Sequence, residues 1–202
     1  RPAAVVWLFD CGGVRLQEAN AGEMAVSEAI RALMACRSAG VPVLALVAGA
    51  NGAFGGAGIL SLCCDRVIAS ESVRLGVSGP EVIETVMGAE AFDSRDRALV
   101  WRTVGGKNRY LYGEVDTLVE DRAAHWREAA LAALKAIETG PLRWSLEGLR
   151  AESEALARRV EQYGDAGDAL EIWKRMGLEN PEAIPLMEVP ELVAAAKAKG
   201  VR

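Results

Sequence analysis

Val43-Leu-Ala-Leu-Val-Ala-Gly-Ala-Asn-Gly-Ala-Phe-Gly-Gly-Ala-Gly-Ile-Leu-Ser-Leu-Cys-Cys-Asp-Arg-Val-Ile-Ala-Ser70 decides the fold class. Val43 to Val47 is an unbroken apolar run, the pattern of a parallel strand buried on both faces. Gly49 to Gly58 then carries five glycines in ten residues. Ile59 to Cys64 reads as a helix, and Arg66 to Ser70 as the next strand. Strand, glycine-rich turn, helix and strand in this order make an α/β unit with a short parallel sheet.

The chain around it fits the same class. Ala3 to Phe9 is a second apolar run, expected to be a strand covered on both faces, and Asp10-Cys-Gly-Gly-Val14 ends it. Glu18 to Ala39 is predicted helical, with Val26, Ile30, Leu33 and Met34 on one face. Gly40 is a suitable C′ residue and Pro42 cannot continue the helix. Val73 to Gly76 suggests a short fourth strand. Arg95 to Val104 reads as a helix stopped by Gly105-Gly106, and Tyr110 to Val119 as an extended or turn region. Helices follow over Asp121 to Thr139, around Leu146, Leu149, Leu156 and Val160, and over Asp168 to Met176 and Glu191 to Lys199. Composition shifts near Gly140-Pro141. This divides the chain into an α/β core, 1–140, and a helical C-terminal extension, 141–202. A first strand so near the start of the sequence predicts a further segment upstream.

Bulk properties narrow the function. With 202 residues, 51% of them hydrophobic and 25% charged, the chain can bury a core without staples. A net charge of −5 and a pI of about 5.1 do not favour nucleic acid. No apolar run approaches a membrane span, which predicts no membrane partner. Cys11, Cys36, Cys63 and Cys64 form no C-x-x-C pair, so free thiols in a cytoplasmic protein are expected and no metal site.

The glycine-rich turn is the strongest chemical signal. A strand leading through glycines into a helix presents free N–H groups, suited to a phosphate or to a developing oxyanion. Gly49-Ala-Asn51-Gly52-Ala-Phe-Gly55 is not G-x-G-x-x-G, and Asp65 precedes the next strand rather than ending it, which disfavours a dinucleotide. The Gly-Lys-Ser/Thr of a P-loop is absent. The competing reading is that the glycines only allow close helix–strand packing. Gly12-Gly13 repeats the same logic after the first strand, so two neighbouring strand ends could each offer an N–H to one oxygen. His125, the single histidine, sits in a predicted amphipathic helix, and no nucleophile elbow accompanies it. Arg95, Arg97, Arg102, Lys107 and Arg109 face only Asp93 and Asp96 in their stretch. They form either a site for anionic substrate or carrier groups, or a solvated charged face. The tryptophans, Trp7, Trp101, Trp126, Trp144 and Trp173, are too scattered for a stacking platform.

Gly12-Gly-Val-Arg-Leu-Gln-Glu18 is similar to the Gly-Gly-Ala-Arg-Met-Gln-Glu segment of carboxyltransferase beta subunits. Gly76-Val-Ser-Gly-Pro-Glu-Val-Ile-Glu84 resembles their Gly-Pro-Arg-Val-Ile-Glu region. Phe92-Asp-Ser-Arg-Asp-Arg-Ala-Leu-Val-Trp-Arg102, with Gly105-Gly106-Lys107, resembles the beta subunits of biotin-independent malonate decarboxylase. The resemblance spans nearly the whole chain. It implies the crotonase fold of repeated ββα units, a gamma-subunit partner and an acyl carrier protein. The substrate it implies is a malonyl thioester on a phosphopantetheine-type arm derived from dephospho-CoA, with no cofactor bound by this chain.

The resemblance also implies site residues. Gly12, Gly13, Gly55 and Gly56 become oxyanion-hole positions, with Gly56 the N–H donor when Cys64-Asp65 is aligned with the family's Cys-Asp, and a side chain at Gly56 is expected to crowd the thioester. Hydratases of this fold place a glutamate three residues beyond that glycine. Ile59 stands there instead, which argues against water addition. Glu81, after Pro80, matches a second hydratase glutamate and is a candidate acid or base, or else only complements the helix dipole. Asn51, Arg95, Arg102 and Lys107 are candidate substrate contacts. The implied activity is decarboxylation of the malonyl thioester. The alternatives are biotin-dependent carboxyl transfer on the same fold and a non-catalytic assembly subunit.

Overall fold

The computed structural model describes residues 3–18, 20–140 and 145–201. Its main sheet has four parallel strands in the order β1-β2-β4-β6: β1 (Val5–Phe9), β2 (Val43–Val47), β4 (Arg66–Ser70) and β6 (Thr117–Val119). A second, two-stranded parallel sheet joins β3 (Ala53–Phe54) to β5 (Leu75–Gly76). The helices are α1 (Asn20–Ser38), α2 (Gly56–Leu62), α3 (Pro80–Met87), α4 (Arg97–Val104), α5 (Gly106–Leu111), α6 (Ala123–Thr139), α7 (Leu146–Tyr163), α8 (Ala169–Arg175) and α9 (Val189–Ala198). A main-sheet strand, a second-sheet strand and a helix recur as β2–β3–α2 and β4–β5–α3. This is the expected ββα repeat of the crotonase fold.

β2 is the central apolar strand the sequence predicts, with Val43, Leu44, Ala45 and Val47 all buried. Val43, Ala45 and Val47 join the main core with α2 and the C-terminal helices. Leu44, with Ile68 and Val119, packs under Trp126, Ala130, Leu134 and Ile137 of α6. β1 departs from expectation. It pairs with β2 from Val5↔Val43 to Phe9↔Val47, yet Val6 is 51% and Leu8 67% exposed. An unbroken apolar run cannot distinguish a central strand from an edge strand with one open face. Among the described residues β1 is the outermost strand of this sheet, and α6 packs chiefly on β2, β4 and β6.

Helix limits follow local chemistry. Asp96 caps α4 by accepting the Leu99 N–H, Ser145 caps α7 through Gly148, and Asp168 caps α8 through Leu170. Gly105-Gly106 stops α4 at Val104 as expected, and a second helix follows without a gap. Gly105 is extended (φ −69°, ψ 148°) and Gly106 starts α5 at once. A side chain on Gly106 would stand 2.5 Å from the Ser70 carbonyl, so the pair marks a tight turn against β4.

The last helices share the main core with the sheet. Trp173 of α8 is buried and donates its indole N–H to Asn108 Oδ1 at 3.0 Å, while the Asn108 amide donates to the Thr103 carbonyl. Leu178, Ile184, Val189 and Leu192 are buried in the same cluster. α7, by contrast, buries no residue. Pro141 and Trp144, at the predicted compositional boundary, lie outside the described residues. Among the described residues, no helix is long and apolar enough to cross a membrane.

All four cysteines are free thiols, and Cys64 is buried at the end of α2. Desolvation raises its pKa from 9.0 to about 12, opposed in part by the Arg37 charge. The unfolded thiol therefore loses its proton before the folded one. Stability from this group is complete below pH 9.0 and declines as pH rises from there towards about 12. In Cys64→Ala, denaturation midpoints measured across that range should fall less steeply than in the parent; identical slopes would show that Cys64 contributes nothing.

Candidate active site

The two glycine segments meet at the C-terminal end of β1. Cys11 makes a parallel bridge to Ala53: its N–H donates to the Gly52 carbonyl at 2.8 Å and its C=O accepts the Phe54 N–H at 3.0 Å. This ladder places Gly12-Gly13 beside Gly55-Gly56. A Cβ on Gly55 would lie 3.5 Å from Gly13 Cα, and Gly13 itself has φ +122°. Among the described residues, no protein acceptor takes the N–H of Gly12, Gly13 or Gly56. Gly56 opens α2, where the helix itself offers none. N–H groups from two chain segments, left without internal partners at adjoining strand ends, can serve an incoming oxyanion.

Gly55 is a correction. Its N–H donates to the Val77 carbonyl at 3.0 Å, so it ties this turn to the chain after β5 and is not an open donor. Its φ of +58° still requires glycine. The packing explanation of the glycines is correct at three positions. A Cβ on Gly52 would sit 1.8 Å from the Arg74 carbonyl oxygen, and on Gly58 2.3 Å from that of Gly76. On Gly56 it would sit 2.4 Å from Val26 Cγ2 of α1. A side chain at Gly56 thus meets α1, not a ligand as expected. Gly12 differs: nothing lies within 4 Å of its would-be Cβ.

Glu81 is exposed in the first turn of α3, with its Oε2 3.7 Å from where a Gly79 Cβ would stand. α3 begins three residues after Val77, so Glu81 is linked through that turn to Gly55. Glu84 is structural: it accepts the Ser94 N–H at 2.8 Å, and hydrogen bonding from the Ser94 side chain and N–H holds its carboxyl below the usual range. Ile59, at the position where hydratases carry glutamate, is 42% exposed on α2.

The cationic residues do not converge. Arg102 pairs with Asp168 at 3.3 Å, joining α4 to the cap of α8. Lys107 donates to the Pro185 and Met187 carbonyls at 2.8 and 2.6 Å, fastening the segment before α9, and desolvation lowers its pKa. Arg109 is held by Glu114 at 3.0 Å. These three stabilise the fold; Arg95 and Arg97 are exposed. Asn51 is exposed beside the glycine site, its backbone N–H bound by Asp10 Oδ1 at 2.8 Å. His125 contacts Glu120 at 3.5 Å on α6.

The chain belongs to the carboxyl transferase domain family, whose pattern matches residues 2–108 and so takes in both glycine turns and the ββα repeats. It is 40% identical over 201 residues to the malonyl-S-ACP:biotin-protein carboxyltransferase MADC of Malonomonas rubra, covering 98% of this chain and 62% of the relative. It is 35% identical to a chain of the Pseudomonas malonate decarboxylase hetero-tetramer solved in complex with malonate, with a TM-score of 0.72 over 84% of this chain and 60% of that one. The Pseudomonas MdcD-MdcE hetero-dimer matches at 33% identity and a TM-score of 0.61, over 77% of this chain and 61% of that one. The chain therefore spans about three fifths of the length of these relatives.

Gly56→Ala should destabilise the chain by about 1–3 kcal/mol through overpacking against Val26, and adding Val26→Ala should restore most of the loss. Denaturant titration of the single and double variants checks this; a double variant no better than Gly56→Ala would remove Val26 as the cause.

Proposed function

We propose that this chain provides the enolate-stabilising half-site of a malonate decarboxylase-type complex, acting on a malonyl thioester carried by an acyl carrier protein. The observation that carries the reading is the adjacency of Gly12-Gly13 and Gly56 with N–H groups that no described residue accepts. When the malonyl C–C bond breaks, its electron pair moves into the thioester carbonyl and carbon dioxide departs. Negative charge collects on the carbonyl oxygen. Preorganised N–H donors there lower the barrier by about 3 kcal/mol each. The thioester carbonyl is itself the electron sink, so the cleavage needs no further cofactor. The enolate carbon then takes a proton, for which Glu81 is the candidate acid. Similarity to chains of the Pseudomonas hetero-oligomers supports a gamma-type partner subunit. Free thiols support a cytoplasmic setting.

A second reading has its own support: the Malonomonas rubra relative is named as a transferase to a biotin protein. There the same cleavage would pass the carboxyl group to biotin. Both readings begin with the same enolate and differ in the acceptor.

The test is reconstitution with the subunits encoded beside this one, followed by assays of malonyl thioester loss and carbon dioxide release. Decarboxylation that persists with avidin present supports the first reading, and release that requires a biotin protein supports the second. The partner assayed alone should be inactive; full activity without this chain would make it an assembly subunit. Gly12→Val should fold normally, since its side chain enters open space, and should lose at least about tenfold in turnover of the malonyl thioester. Parent-like turnover in a folded Gly12→Val complex would show that substrate does not approach this glycine.

A further inference from the structure

We infer that Asp10 is a positioning residue for this site: its carboxylate sets the spacing between the Gly12-Gly13 and Gly56 segments. The inference rests on the oxyanion reading above. Asp10 directly follows β1, and its Oδ1 accepts the Asn51 N–H at 2.8 Å. The two segments are shaped for this contact. Gly49 has φ +76° and comes so close that a Cβ there would lie 2.2 Å from Asp10 Cγ.

The next two bonds continue the same seam, from the Cys11 N–H to Gly52 and from the Phe54 N–H back to Cys11. Residues 10 and 11 thus hold residues 51–54 by three successive hydrogen bonds. The last two use backbone groups that any residue supplies. The first depends on the side chain at position 10. Backbone bonds also tie the ends of the segment, from the Ala48 N–H to Phe9, the Ala53 N–H to Arg74 and the Gly55 N–H to Val77; its middle, residues 49–51, is held by Asp10 and by a long 3.5 Å contact from Arg74 to the Ala50 carbonyl. A carboxylate is a stronger acceptor than a neutral group, and here it fastens the loop only five residues before Gly56. Releasing it lets that loop move against Gly12-Gly13, and catalytic donors lose effect steeply with misplacement.

The test uses the reconstituted complex with Asp10→Ala and Asp10→Asn. Two quantities are read: amide hydrogen exchange over residues 48–56, and kcat and KM for malonyl thioester. Asp10→Ala should exchange about tenfold faster in that segment and lose about tenfold in kcat, with KM within about twofold. Asp10→Asn keeps an acceptor oxygen and should recover most of both. Should Asp10→Ala melt too low to assay, Asp10→Glu, which keeps the charge but displaces the oxygen, should shift both readouts in the same direction. Unchanged exchange, faster exchange with unchanged kcat, or an Asp10→Asn as impaired as Asp10→Ala would each overturn the proposal. If the parent complex turns over no malonyl thioester, the oxyanion reading itself fails, and the exchange measurement still decides whether Asp10 holds the turn.

Discussion

The ion pair between Arg37 and Asp65 fixes the frame on which the glycine site is built. Arg37 leaves the last turn of α1 with its side chain 4% exposed and meets Asp65 at 2.7 Å; it also donates to the Cys63 carbonyl. The other Asp65 oxygen accepts the Val43 N–H at 2.8 Å, and the Asp65 N–H donates to the Val43 carbonyl. One carboxylate therefore joins α1, the end of α2 and the starts of β2 and β4. Removing one partner of a buried pair strands the other charge, at about 3–5 kcal/mol. The arrangement is repeated one strand on. Asp116 precedes β6 and exchanges the same two bonds with Val67 of β4. Each pin sets the register at the N-terminal end of a parallel pair, and register at that end dictates which residues emerge together at the other.

What emerges at the other end is governed by close approach. Gly52 lies on the Arg74 carbonyl, Gly58 on that of Gly76, and Gly56 on Val26. Those contacts press the turn before β3 and α2 against β5 and α1. The donors at Gly12, Gly13 and Gly56 are by-products of the same geometry: a strand that ends and a helix that begins each leave N–H groups without acceptors. Packing and chemistry are thus not rival accounts of the glycines. Different atoms of the same turn answer to each: the missing Cβ answers to packing, and the unclaimed N–H is the atom the proposed chemistry uses.

Charge serves the fold more than the site. Arg102, Lys107 and Arg109 attach the C-terminal helices and the approach to β6 through Asp168, two backbone carbonyls and Glu114. The proposed glycine site uses backbone donors instead, and Asp10 makes the shortest of the side-chain contacts to its turn, beside longer ones from Cys11 to Gly13 and from Arg74 to Ala50.

The sequence by itself determined the α/β class, the ββα repeat implied by its family resemblance, the central strand Val43–Val47 and the two glycine segments, because apolar runs and glycine density are local properties. It placed most helices within a few residues, since Asp96, Ser145 and Asp168 cap them through neighbouring N–H groups. Only the tertiary structure decided that Gly55 gives its N–H to Val77 and that Gly56 faces α1. It also decided that Lys107 closes on Pro185 and Met187, and it picked out Asp10, which no motif marks. Each of these depends on a partner distant in the chain: 22 residues separate Gly55 from Val77, 80 separate Lys107 from Met187, and 41 separate Asp10 from Asn51. Local pattern reports which groups a residue brings, and only the packed chain reports which of them remain unclaimed.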